Sequence, residues 1–382
     1  MHASTQALFD WLVDGAPGAT SAADLAERIG VRLREAGVPI DRFMAFVLTL
    51  HPNVLGRSFR WEPGRAVKVS ELTEAIRHSA MFSQSPIVWV NQSKVECRIA
   101  LPPPADTPFP VAHDLAQDGF TDYVCMPMAF QNGEIHAVSF ATKNPGGFSN
   151  DDLDSMRHVT RPLTRIAEIF ALRRTASNVL ATYVGRRTSE HIFAGRIVKG
   201  DIETIRAAIW FSDLRGFTEL SGRIPAPETI AILNDLFDCQ VPTIDAHGGE
   251  VLKFIGDGLL AIFPIAAEAD TASRCKAAFE AAADAFAAVD ARNAKAARPI
   301  AFGLALHVGE VAYGNIGGAT RLDFTAIGPA VNLAARLEGL TGKLGKRLVT
   351  SEAFATHVGG LEPVGEFELK GIVGLQRLFA PT

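Results

Sequence analysis

The period of the apolar positions changes several times along the chain, and each change marks a different kind of element. Near the N-terminus, SAADLAERIGVRLREAG sets Leu25, Ile29 and Leu33 four apart, so residues 1 to about 36 read as helix. FMAFVLTLH, PIVWV, YVCMPMAF and IHAVSFAT are short runs rich in β-branched and aromatic residues, which predicts strands. The last two are joined by QNGE, whose Asn132-Gly133 pair signals a hairpin. An antiparallel sheet flanked by helices follows. Ser149 is placed to cap a helix with Asp151 and Asp152 in its first turn, and Leu153, Met156, Leu163, Ile166 and Phe170 form its apolar stripe. Pro162 should kink or restart that helix, and TASNVLATYVGRRTSEHIFAG continues helical to Gly195. This connector lacks the Gly, Ser or Pro richness of a floppy linker. It reads equally as a helix packed on its own domain or as one strand of a parallel two-helix dimer seam.

From Ile202 the alternation resumes. IRAAIWFSD reads as a strand, PETIAILNDLFDCQVPTIDAHG as a helix and EVLKFIGDGLLAIF as a hairpin. An alanine-rich helix (ADTASRCKAAFEAAADAFAAVDARNAKA) follows, then PIAFGLALHVGEVAYGNIG, read as a strand pair with a glycine turn. Strand, helix, hairpin, helix, strand is the split βαβ order of a ferredoxin-like sheet, an α+β arrangement. In it the end of the first strand lies beside the tip of the central hairpin. The expected organisation is therefore residues 1–150 as one domain, 151–200 as a helical connector and 201–382 as a second domain.

Composition narrows the function. With 382 residues, 48% hydrophobic and 21% charged, the chain has room for two cores. No apolar run approaches the ~20 residues of a membrane span, and Asp10 and Asp14 interrupt the N-terminal apolar residues, so a secretion signal is not expected and the cytoplasm is. A net charge of −5 leaves no basic footprint for nucleic acid. Cys97, Cys125, Cys239 and Cys275 stand singly, without zinc-ligand spacing, and read as reduced thiols. No P-loop string occurs, and His113, His136 and His158 show no metal-ligand spacing. His307, in an apolar strand, reads as a core histidine.

Two carboxylates stand out. Asp213 ends the first strand of the second domain in FSDLRGFT, and Asp257 sits in the turn FIGDGL. Gly256 and Gly258 are expected at positive φ, leaving Asp257 at the hairpin tip. Two close carboxylates repel unless a cation lies between them, and hard oxygen ligands suit Mg²⁺ or Mn²⁺. Gly216, Phe217 and Thr218 lead into a helix whose free amides could cradle phosphate oxygens. Taken alone, these features also fit two unrelated turn aspartates.

The wider motifs decide between the two. IWFSDLRGFTELS, GGEVLKFIGDGLLAIF, HVGEVAYGNIG and FTAIGPAVNLAARLEG, in this order and spacing, resemble the catalytic domain of class III nucleotidyl cyclases over residues of about 200 to 380. The resemblance implies that Asp213 and Asp257 bind two metal ions, with the Leu214 carbonyl contributing. It implies that Lys253 and Thr325 select the purine, Asn332 orients the ribose, Arg336 stabilises the transition state and Lys370, in FELKGI, holds the triphosphate. It also implies a homodimer, with metal aspartates from one subunit meeting the other residues from its partner. Many members carry Asp where this chain has Thr325; the threonine subgroup includes bicarbonate-stimulated members. Lys253 can donate to a ring nitrogen that accepts in adenine and carries hydrogen in guanine, which favours ATP over GTP. Guanylate cyclase and a non-catalytic nucleotide-binding regulator are the rival readings; every catalytic position is filled, which opposes the second. MPMAFQNGEIHAVSFATKNPGGFSNDDLDSMRHV resembles the end of a GAF sensory domain, implying regulation by a small-molecule or protein effector.

Overall fold

The computed structural model describes residues 4–48, 54–318 and 320–382, in two compact units, 1–179 and 180–382. The first comprises α1 (Thr5–Val13), α2 (Ala22–Glu35), β1 (Arg42–Leu48), β2 (Gly56–Trp61), β3 (Lys68–Leu72), α3 (Glu74–Arg77), α4 (Ala80–Ser83), α5 (Pro86–Ser93), β4 (Cys97–Ala100), α6 (Pro110–Gln117), β5 (Asp122–Ala129), β6 (Ile135–Thr142) and most of α7 (Asn150–Val184). Its six strands form one antiparallel sheet in the order β3-β2-β1-β6-β5-β4. Both faces are covered. Val124, Met126 and Met128 of β5 pack with Leu25, Ile29, Leu33 and the first half of α7, while Tyr123 and Cys125 pack with Ile87, Val90 and Leu115. The Asn132-Gly133 turn joins β5 to β6 as expected, with Gly133 at φ +86°. The last three residues of FMAFVLTLH lie outside the described residues.

One expectation fails here for a local reason, and one of the two readings of Pro162 is excluded. PIVWV is the start of α5, not a strand: Ser85 caps it by accepting from the Val88 amide at 3.3 Å, and Pro86 fills the first turn, where no amide is needed. Pro162 does not restart its helix, because α7 runs unbroken through it to Val184. The cap at Ser149 is present, with reciprocal bonds from Asp152 N to Ser149 Oγ at 3.2 Å and from Ser149 N to Asp152 Oδ2 at 2.8 Å.

The second unit comprises α8 (Arg186–Phe193), β7 (Ile202–Leu214), α9 (Phe217–Ser221), α10 (Ala226–Ala246), β8 (Glu250–Ile255), β9 (Gly258–Ile265), α11 (Thr271–Asn293), β10 (Phe302–Gly317), β11 (Leu322–Ile327), α12 (Pro329–Thr341), β12 (Leu348–Ser351), α13 (Glu352–Ala355), β13 (Leu361–Glu368) and β14 (Leu375–Pro381). The sheet order β13-β14-β12-β10-β7-β9-β8 contains the expected split βαβ core, with β11 pairing on β10. β7 is buried on both faces: Ala208 and Trp210 pack on the side of α10 and α11, Ala207 and Ile209 on the side of β11 and α12. Ala278, Ala281, Ala282 and Ala285 let α11 lie close on the sheet. PIAFGLALHVGEVAYGNIG is not a strand pair but the single strand β10. Gly309, within this strand, admits α12: a Cβ there would meet that of Ala330 at 2.8 Å. Among the described residues no helix is long and apolar enough to cross a membrane, and all four cysteines are free and buried.

His307, buried in β10, contacts the Ser351 hydroxyl through Nδ1 at 2.7 Å, and burial pushes its pKa down to about 4. The unfolded chain takes up this proton below about pH 6.5, while the folded chain refuses it until about pH 4. The neutral ring therefore stabilises the fold fully above pH 6.5, and this is lost as pH falls towards 4. Urea unfolding of this unit should weaken by up to about 1.4 kcal/mol per pH unit across that window. His307→Gln should flatten that slope; an unchanged slope would assign it to other groups.

Candidate active site

The end of β7 meets the β8–β9 turn because β7 and β9 pair antiparallel with Asp213 opposite Gly258. Only Gly256 of the two turn glycines has positive φ, +64°. Gly258 serves by close approach instead: a Cβ there would stand 2.9 Å from the Ser212 carbonyl. Asp213 and Asp257 are thus brought together. Burial, and then the charge of Asp257 with a hydrogen bond to it, raise the Asp213 carboxyl to about 7, and Glu338 adds to the effect. An anionic pair is unfavourable here without a cation. Among the described residues no group of three or more Asp, Glu, His or Cys could form a complete metal cage. Two carboxylates suit Mg²⁺, which takes one or two protein carboxylates and completes its shell with water and phosphate oxygens.

Glu338, on α12, is a neighbour that motif reading passed over. It is buried, its pKa is raised by burial, and Arg215 lies 3.8 Å away. Arg215 also bonds the Thr341 hydroxyl, so one guanidinium ties the end of β7 to α12 beside the aspartates. Gly303 leaves room for this cluster, since a Cβ there would fall 2.4 Å from Arg215 and Thr341. The only hint in sequence was that Arg215 and Glu338 fall inside two of the four motifs.

Lys253 stands on β8, where the register against β9 slips by one residue: Val251 faces Ala261 but Lys253 faces Leu260. Such a bulge re-aims the side chains beside it. The Lys253 ammonium pairs with Asp323 of β11, a partner sequence reading did not name. Thr325 is two residues further along β11, buried, opposite Gly314 of β10. By strand alternation it shares a face with Asp323.

Asn332 and Arg336 lie four apart on the exposed side of α12, opposite the face that buries Ala334, Leu337 and Glu338. Neither forms an ion pair or side-chain hydrogen bond among the described residues. Lys370 is exposed in the β13–β14 loop. Gly216 caps α9, so the amides of Phe217 and Thr218 begin it, although the Phe217 ring packs on the core. A groove of about 1550 Å³ is lined by Lys253, Asp323, Glu250, Tyr313 and His191, and none of Asp213, Asp257, Asn332 or Arg336 lines it. Lys253 and Asp323 therefore lie in a groove apart from the aspartates and from the α12 pair.

Residues 202–378 match the family model "Adenylate and Guanylate cyclase catalytic domain". An adenylate cyclase of Anabaena cylindrica is 35% identical over 163 residues, 42% of this chain and 32% of that protein. Adenylate cyclase 1 of Rhizobium meliloti is 32% identical over 169 residues, 42% of this chain and 25% of that protein. The chain thus spans about a third or less of the length of these relatives. A bacterial light-regulated adenylyl cyclase has a similar fold, with a TM-score of 0.50 at 20% identity, covering 66% of this chain and 84% of that one. Over residues 202–378 the chain is thus similar to adenylate and guanylate cyclase catalytic domains.

Proposed function

We propose that the protein is an adenylate cyclase, closing ATP to 3′,5′-cyclic AMP and pyrophosphate at sites shared by two copies of the chain. The observation that carries this is the meeting of Asp213 and Asp257 at a strand end and a hairpin tip, inside a domain of the cyclase family. In the reaction the ribose 3′-oxygen bonds to the α-phosphorus, the bond to the bridging oxygen of the β-phosphate breaks, and the hydroxyl proton passes to solvent. Asp213 and Asp257, with the Leu214 carbonyl, would hold two Mg²⁺ or Mn²⁺ ions, which supply Lewis acidity at the phosphates and at the attacking oxygen. Arg336 offers a planar fork of donors to charge growing on the α-phosphate oxygens. Asn332, one turn away on the same face, orients the ribose, and the amides of Gly216, Phe217 and Thr218 with Lys370 receive the outer phosphates. Lys253 and Thr325 read the adenine edge, the lysine donating and the hydroxyl accepting.

The partition of these residues supports a homodimer. Asn332 and Arg336 point away from the aspartates' neighbour Glu338, so a second chain is the natural source of the missing half-site. α7 adds a seam: Ile169, Leu172, Ala176, Val179 and Tyr183 are all exposed and spaced three and four apart, as in a two-stranded coil. The N-terminal residues 1–150 are read as a GAF-like regulatory domain and 151–200 as a helical connector to the catalytic residues 201–382. Support for this comes from the antiparallel sheet, its hairpin and the Ser149-capped helix that follows.

Incubating the purified chain with ATP or GTP and Mn²⁺ and separating the products tests the reading. Cyclic AMP from ATP is expected; cyclic GMP as the main product would reverse the specificity, and no cyclic product would leave a nucleotide-binding regulator. Lys253→Glu places an acceptor where adenine also accepts and sets two carboxylates against each other at Asp323. It should lower kcat/KM for ATP at least about tenfold. Because both side chains are well exposed, the thermal midpoint should hardly move. Unchanged ATP kinetics would remove Lys253 from base recognition.

A further inference from the structure

The N-terminal unit contains a cleft of about 480 Å³, within the roughly 300–1,000 Å³ of small-molecule sites. It lies on the sheet face that carries α2 and α7. Phe43 and Val47 of β1, Phe59 of β2 and Val69 of β3 form its floor. The cleft exists because the facing helical side chains are too small to close it. Ala22 and Ala26 on α2 and Ala167 and Ala171 on α7 are each four apart on one face. Its mouth is of opposite character. Arg57, Arg173 and Arg174 stand there, and the lining contains no carboxylate. Arg57 is paired with Glu71 across β2 and β3, whereas Arg173 and Arg174 make no ion pair or hydrogen bond among the described residues. Burial, and then the nearby Arg57 charge, disfavour the Arg174 cation more than the Glu71 carboxylate paired with Arg57 favours it, so a further anion at the mouth would relieve it.

We propose that this cleft binds one free amphiphilic anion, an apolar body lying between α2 and α7 with a carboxylate held by Arg174 and its neighbours. An apolar floor alone would accept any greasy molecule. The surplus of guanidinium groups, with their planar forks matched to carboxylate oxygens, selects the sign of the head group. The site is an equilibrium property of the first unit and stands whether or not the cyclase reading holds.

Calorimetric titration of the full chain with decanoate tests it, with decyltrimethylammonium as the cationic counterpart. Saturable binding of one decanoate per chain is expected, with none of the cation. Arg174→Glu, an exposed change, should weaken decanoate at least about tenfold. Ala171→Phe should abolish binding by filling the cleft, and thermal melting of both variants shows whether they fold. No saturable decanoate binding by the wild-type chain, or equal affinity for the cation, overturns the proposal. So does an undiminished affinity in folded Arg174→Glu. If the chain instead sediments with phosphatidylglycerol vesicles through Arg174 and ignores free decanoate, the face is a membrane contact and the proposal fails. Dissociation of a dimer by Ala171→Phe, without decanoate binding in the wild type, would likewise assign the groove to a second copy.

Discussion

Chains carrying Asp257→Ala and chains carrying Arg336→Ala should each be nearly inactive alone, yet their co-expression should return about a quarter of wild-type cyclic AMP production. Each homodimer lacks one essential group at both of its sites. In a mixed dimer, one site collects both lesions. The other takes its aspartates from the Arg336→Ala chain and its arginine from the Asp257→Ala chain, so it is intact. With random exchange about half the dimers are mixed and each has one good site of two. Activity no higher than either parent, despite confirmed mixed dimers, would leave a site built within a single chain. The expectation rests on the exposed, unpaired placement of Arg336 on a face of α12 different from that of Glu338, beside the aspartates.

Loss of either aspartate should separate activity from stability. Asp213→Ala or Asp257→Ala should lower turnover at least about a thousandfold, equivalent to about 4 kcal/mol of barrier. In metal-free buffer the thermal midpoint should rise instead of fall, because each substitution removes one of two mutually repelling, part-buried carboxylates. The paired measurement is cyclic AMP formation with Mn²⁺ and melting in a chelator. Near-normal product formation would overturn the metal assignment, and a lowered midpoint would mean that the pair is already compensated within the chain.

Sequence revealed different parts of this molecule to different degrees, for physical reasons. The meeting of Asp213 with Asp257 followed from element order alone, since a split βαβ sheet forces the first strand beside the hairpin. The four-residue spacing of Asn332 and Arg336 was equally direct. PIVWV was misread because five apolar residues suit a strand and a buried helical turn alike, and the deciding signals, Ser85 and Pro86, lay at its edge. The glycine turn in PIAFGLALHVGEVAYGNIG was misread because a glycine set against a neighbouring helix, as Gly309 is, carries the same letter as one chosen for a turn. Asp323 and Glu338 were missed for another reason. Each becomes informative only through a residue distant in sequence, Lys253 in one case and Arg215 in the other.

The bulge in β8 bears on how this hairpin tolerates insertions and deletions. Leu252 is the supernumerary residue of the ladder. A chain lacking it would regain a regular register with Lys253 still opposite Leu260 and Asp257 still at the tip. A deletion one step later, between Lys253 and Gly256, has no such slack and would draw the lysine towards the turn. Length changes are thus absorbed upstream of Lys253 and transmitted downstream of it, so two chains that align equally well by letter across this segment can differ in whether lysine and aspartate keep their separation.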